Sequence, residues 1–185
     1  MHELSQMIKD DMKPALGVTE PGAIAFAVAK ARSFTKGDIK KVNVAMNSGM
    51  YKNAFTCGIP NSNEVGNVFA AALGVVAGNA DKGLESLADV TPEDNVKAQK
   101  MIDQGKITVE LSGITSRIFI EATVETEEDK AIVTIRDSHT NITKIIVNDK
   151  VELETEDEKK TEEDGGEEES HSIHKYTLQQ LYDYV

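Results

Sequence analysis

His139 is the side chain of this sequence whose type best suits proton transfer near neutral pH. A histidine titrates in that range, so His139 is the natural acid or base, and Glu20 is a second candidate proton carrier. Both lie in stretches that have ligand-binding character. Glu20 belongs to Leu16-Gly17-Val18-Thr19-Glu20-Pro21-Gly22, and an apolar run from Ala23 to Ala31 follows at once. Thr19 is a good helix cap, Pro21 fits the first turn, and the free N–H groups of such a helix start face whatever anion sits before them. Gly17 and Gly22 would let the backbone approach a ligand. The same residues also describe a capped, buried helix with no ligand, and a lone histidine between strands also serves as an ordinary structural residue.

A second polar region follows. Asn47 to Asn53 and Gly58-Ile59-Pro60-Asn61-Ser62-Asn63 read as loops dense in short donors and acceptors, from which Asn61 and Ser62, with Thr19, are the candidate substrate-binding residues. Turn formation alone would use the same residue types. Ser48 or Ser62 with His139 as a hydrolase pair finds no nucleophile-elbow pattern.

These residues need elements to hold them. Leu4, Met7, Ile8 and Met12 have helical spacing, so a short helix precedes Pro14. The run after Thr19 lacks a polar stripe, which predicts a central, enclosed helix. Ile39 to Met46 reads as a strand, Val65 to Val76 and Asp81 to Leu87 as helices, and Thr91-Pro92-Glu93-Asp94 as a capped helix start whose helix Gly105 closes. The period then changes to two. Ile107–Leu111, Ile118–Val124, Ala131–Arg136 and Ile142–Val147 predict four strands in an antiparallel meander. Helices first and strands second predict an α+β fold, a helix-rich first half packed on a mainly antiparallel sheet formed largely by the second half.

Charge divides the chain further. The net charge is −12, and the tract Glu152 to Glu169 holds eleven carboxylates against two lysines, which accounts for nine of those negative charges. That tract reads as a mobile acidic loop, residues 152–170, between an α+β domain at 1–151 and a C-terminal strand and helix at 171–185 that complete it. His2, His171 and His174 lie at the N-terminus or beside the tract and are assigned no role. The acidity argues against a nucleic-acid partner, no apolar run is long enough to span a membrane, and no signal peptide is visible, so a cytoplasmic location is expected. Cys57 is the only cysteine, so no internal disulfide forms and no metal is held by this chain's thiolates alone.

Six segments together resemble the L-cysteine desulfidase family, whose relatives include the iron–sulfur L-serine dehydratases. They are Lys13-Pro14-Ala15-Leu16-Gly17-Val18-Thr19-Glu20-Pro21, Gly58-Ile59-Pro60-Asn61, Ala70-Ala71-Ala72-Leu73-Gly74, Asp81-Lys82-Gly83-Leu84-Glu85, Asp89-Val90-Thr91-Pro92-Glu93-Asp94 and His139-Thr140-Asn141-Ile142. The resemblance implies breakdown of L-cysteine to sulfide, ammonia and pyruvate with a [4Fe–4S] cluster acting as Lewis acid. It places a cysteine where this chain has Val18, and a C-terminal half that this chain lacks. Two expectations follow. The chain is the substrate-side domain or subunit of a desulfidase-like lyase, inactive alone and without its own cluster, with a C-terminal-half subunit or a homo-oligomer as partner. Alternatively it is a non-catalytic domain that binds a small anion or amino acid, or serves assembly.

Overall fold

The computed structural model describes residues 2–115, 117–155 and 172–184. They form two compact units, Pro14–Thr155 and a terminal unit that holds the described residues 2–13 and 172–184. In the terminal unit, α1 (Glu3–Asp11) is capped by His2, whose Nδ1 accepts from the Leu4 N–H at 3.2 Å.

The large unit begins with α2 (Thr19–Arg32), buried at Pro21 to Ala29 and at Ala31. Enclosure explains why the helix needs no polar stripe. β1 (Ile39–Asn47) follows, then α3 (Ser48–Ala54), α4 (Asn67–Ala77), a 3-10 turn at Ala80–Glu85 and α5 (Pro92–Asp103). Thr91 caps α5: its Oγ1 accepts from the Asp94 N–H at 3.3 Å while the Asp94 carboxylate accepts from the Thr91 N–H at 3.2 Å, a reciprocal capping box. The strands β2 (Ile107–Gly113), β3 (Phe119–Thr126), β4 (Lys130–Arg136), β5 (Ile142–Val147) and β6 (Lys150–Glu154) complete the unit.

All six strands join one sheet in the order β2-β1-β3-β4-β5-β6. The β1–β2 pair is parallel and the rest are antiparallel. The fold is α+β, as the order of periodicities predicts. One face of the sheet carries the core: Val42, Val44 and Met46 of β1, Ile120, Ala122 and Val124 of β3, and Ala131, Val133 and Ile135 of β4 are all fully buried at alternate positions. Helix α2 packs on β3 and β4, and α4 packs on α2. That helix pair is held very close, because a Cβ on Gly74 would lie 2.7 Å from the Ala25 carbonyl oxygen.

Several expectations are corrected. The stretch Asn47–Asn53 is mostly helix α3 and not a polar loop, because Met50 and Ala54, four residues apart, both bury on one face. Ile107–Leu111 does not open a meander; β2 lies parallel to β1, which the long α3–α4–α5 crossover permits, and β1 separates it from β3. The start of the acidic tract is ordered as β6, which carries Glu152 and Glu154 after a hairpin turn at Asn148 and Asp149, both with positive φ. The rest of the predicted 152–170 loop lies outside the described residues, apart from Thr155.

Ser172–Lys175 is a 3-10 turn, where a strand was expected, and it leads into α6 (Leu178–Tyr184), whose Gln180 N–H is met by Thr177 Oγ1 at 3.3 Å. These residues group with α1. There the Ser5 and Tyr184 hydroxyls lie 2.7 Å apart, the Tyr176 hydroxyl donates to Glu3 at 2.8 Å, and Lys175 pairs with the same carboxylate. The Lys175 and Tyr176 hydrogen bonds hold Glu3 below the usual carboxylate range.

Candidate functional site

Helix α2 starts one residue earlier than a Thr19 cap requires. Val18 occupies the capping position with no side-chain hydrogen bond, so Thr19 is the first helical residue and its hydroxyl is released from capping. That hydroxyl lies 3.4 Å from Glu20 Oε2 and 3.4 Å from His139 Nε2. A hydroxyl has one proton to give and lone pairs to receive, so donation to Glu20 leaves it to accept from the His139 Nε2–H. The result is a line from imidazole through hydroxyl to carboxylate. Glu20 Oε1 accepts in turn from Asn53 Nδ2 at 3.1 Å, which fixes the carboxylate from its other side.

Distant segments supply these groups. His139 sits in the β4–β5 loop, where Asp137 takes φ 65° and donates its N–H to the Ile118 carbonyl at 3.0 Å. The loop closes through Arg136 and Asn141, whose main chains and amide bond one another at 3.1 and 3.2 Å. Because α2 packs across β3 and β4, its start comes to this end of the sheet. Asn53 comes from the last turn of α3, and its carbonyl accepts from Cys57 Sγ at 2.7 Å. Thr19, Glu20 and His139 are half-buried, so the group is both held and reachable.

The structure brings Thr19, Glu20 and His139 together and places Asn61 and Ser62 elsewhere. Asn61, at φ 58°, donates through Nδ2 to the Leu87 and Ala88 carbonyls at 2.9 and 3.0 Å, and Ser62 Oγ accepts from the Glu64 N–H at 3.1 Å. Both line a cleft of about 550 Å³ against α5, whose lining includes none of Thr19, Glu20 and His139. Gly22 also has a different use from the expected approach to a ligand: a Cβ there would lie 2.9 Å from the Leu84 carbonyl oxygen, so it admits the 3-10 turn. Asn53 also belongs to the Thr19–Glu20–His139 group, and its only signal in the sequence is its place in a stretch of short polar side chains, whose residue types do not announce helix α3.

Among the described residues no three His, Cys, Asp or Glu side chains converge as a metal site. Cys57 stands without a second thiol and is spent on the Asn53 carbonyl. This donor set does not fit an iron–sulfur cluster.

No family model and no solved structure matches the chain. Curated proteins do. The chain is 40% identical over 145 residues to a UPF0597 protein of Clostridium botulinum strain Hall, covering 78% of this chain and 34% of that protein. A second UPF0597 protein of the same strain is 36% identical over 157 residues, covering 85% of this chain and 36% of the relative. One from strain Okra is 38% identical over 151 residues, covering 82% and 35%. The chain thus spans about a third of the length of the curated relatives it matches.

These names overturn the assignment to the L-cysteine desulfidase family. The physical reason lies in the segments that carried it: Thr91-Pro92-Glu93-Asp94 is a capping box, Gly74 is a helix contact, and Asn61 is a positive-φ turn residue. Local structure demands such residues in many unrelated chains.

Proposed function

We propose that the large unit binds a small amino acid at the start of α2 and supplies the substrate side of a lyase site that residues outside this chain complete. The observation that carries this reading is the contact of Thr19 with His139 at a helix start that no side chain caps. A 14-residue helix offers partial positive charge and free N–H groups there. Glu20 shares that helix start, so a simple anion meets a like charge. A zwitterion does not: its carboxylate faces the N–H groups while its ammonium faces Glu20. The geometry therefore favours an amino acid over phosphate or sulfate.

In this reading His139 or Glu20 takes the α-proton of the bound amino acid. The electron pair left on Cα forms the Cα–Cβ double bond, and the β-substituent leaves with its own bonding pair, as sulfide from L-cysteine or hydroxide from L-serine. The resulting enamine tautomerises and hydrolyses to pyruvate and ammonia. Thr19 relays between the two groups, and Asn53 holds Glu20 in place. The length of the relatives supports the need for further residues. The unfitted donor set supports the second reading, a domain that binds the amino acid without turning it over.

The test is calorimetric titration of the chain with L-cysteine and L-serine, alongside assays of pyruvate and sulfide release with and without the remaining two-thirds of a UPF0597 relative supplied as a second chain. Binding plus turnover only in the mixture supports the lyase reading. Binding without turnover in either supports the second. No binding overturns both.

A further inference from the structure

The cleft between the Asn61–Glu64 turn and α5 has a consistent chemical sense. The amide NH₂ of Asn61 is spent on the Leu87 and Ala88 carbonyls, that of Asn95 on the Asn61 and Thr91 carbonyls at 3.2 and 2.9 Å, and that of Gln99 on Asp103 at 2.8 Å. In Asn61 and Asn95 both N–H groups are used and the oxygen is the end left over, while Gln99 keeps one N–H beside its oxygen. The Asn95 orientation is fixed, because both neighbours of its Nδ2 are carbonyls, and its Oδ1 is buried with no donor. Glu64 adds a carboxylate at the rim, and no lysine or arginine lines the cleft. Lys97, on the adjacent turn of α5, is turned to Asp94 at 3.0 Å. Phe69 and Val96 supply apolar wall.

A cleft of about 550 Å³ lies within the range of small-molecule sites, and one rich in acceptors and lacking cations repels carboxylates and phosphates. We propose that it is a second binding site, separate from the Thr19–His139 end, for the primary ammonium group of a small alkylamine, with the alkyl part against Phe69 and Val96. The N–H groups of the ammonium go to the Asn61 and Gln99 amide oxygens and its charge to Glu64.

The test is a titration of the ¹⁵N-labelled protein at constant ionic strength, following the side-chain amides of Asn95 and Gln99. The probes are n-butylammonium, tetramethylammonium, which has the charge without the donors, potassium and butyrate. Saturable shifts with butylammonium alone, weakened about tenfold by Glu64→Gln, are expected. Glu64 is exposed, so that variant leaves the fold intact. Equal responses to tetramethylammonium or potassium, a response to butyrate, or no saturable response would overturn the proposal.

Discussion

Thr19 and His139 lie 3.4 Å apart across 120 residues of sequence, because α2 crosses the strands whose connecting loop carries the histidine. The contact depends on Val18 holding the cap position, which leaves the threonine hydroxyl without a capping duty. Thr19→Val keeps the shape and removes both hydrogen bonds. A small loss of stability, about 0.5–1.5 kcal/mol, is expected for these half-exposed groups, together with weaker amino-acid binding. Urea denaturation and calorimetry of the same variant separate the two effects.

Asn53→Ala frees Glu20 on one side while leaving the carboxylate in place. Amino-acid binding should weaken by several-fold, and Asn53→Asp, which sets a second negative charge against Glu20, should weaken it further. Asn53 is exposed, so both variants should unfold at nearly the wild-type urea concentration. Equal affinities in all three proteins would remove Asn53 from the site.

Gly74→Ala places a methyl 2.7 Å from the Ala25 carbonyl oxygen and 2.9 Å from its Cα, so one helix backbone must move. The cost of such overpacking, ~1–3 kcal/mol, exceeds the ~1 kcal/mol that alanine gains over glycine in a helix. A lowered urea midpoint is expected. Ile24→Ala, at a fully buried site of α2, should cost ~2–5 kcal/mol by opening a cavity.

The α5 capping box predicts an acid response. The Thr91 hydroxyl first, and then Lys97, hold the Asp94 carboxyl below its usual range. Its folded value is below its unfolded one, so its contribution is fully present above about pH 3.9 and is lost as pH falls through the folded value. Asp94→Asn should flatten that part of the acid limb of a stability-versus-pH curve, and Thr91→Ala should cost about 1 kcal/mol at neutral pH.

Where local signals and tertiary demands coincide, this fold is readable from sequence. The unstriped run after Thr19 announces a buried helix, the alternation in β1, β3 and β4 announces a one-sided sheet, and Thr91-Pro92-Glu93-Asp94 announces the α5 cap. Helix α3 was illegible because its short, polar sequence becomes helical through burial of Met50 and Ala54. The parallel placement of β2 was illegible for a related reason, since its pairing with β1 is set by a three-helix crossover and by no residue within the strand. At the site, residue types pointed to Thr19, Glu20 and His139. They could not show that Asn61 and Ser62 face a different cleft, because both regions use the same short polar side chains.

The most direct test of the account follows the His139 imidazole and the Thr19 and Glu20 amides by NMR during titration with L-cysteine or L-serine, with phosphate as the control anion. The account predicts saturable shifts at all three residues with the amino acids and weaker ones with phosphate, abolished together by His139→Ala and Glu20→Gln in combination. Silent resonances, or a response as strong to phosphate as to the amino acids, would contradict it.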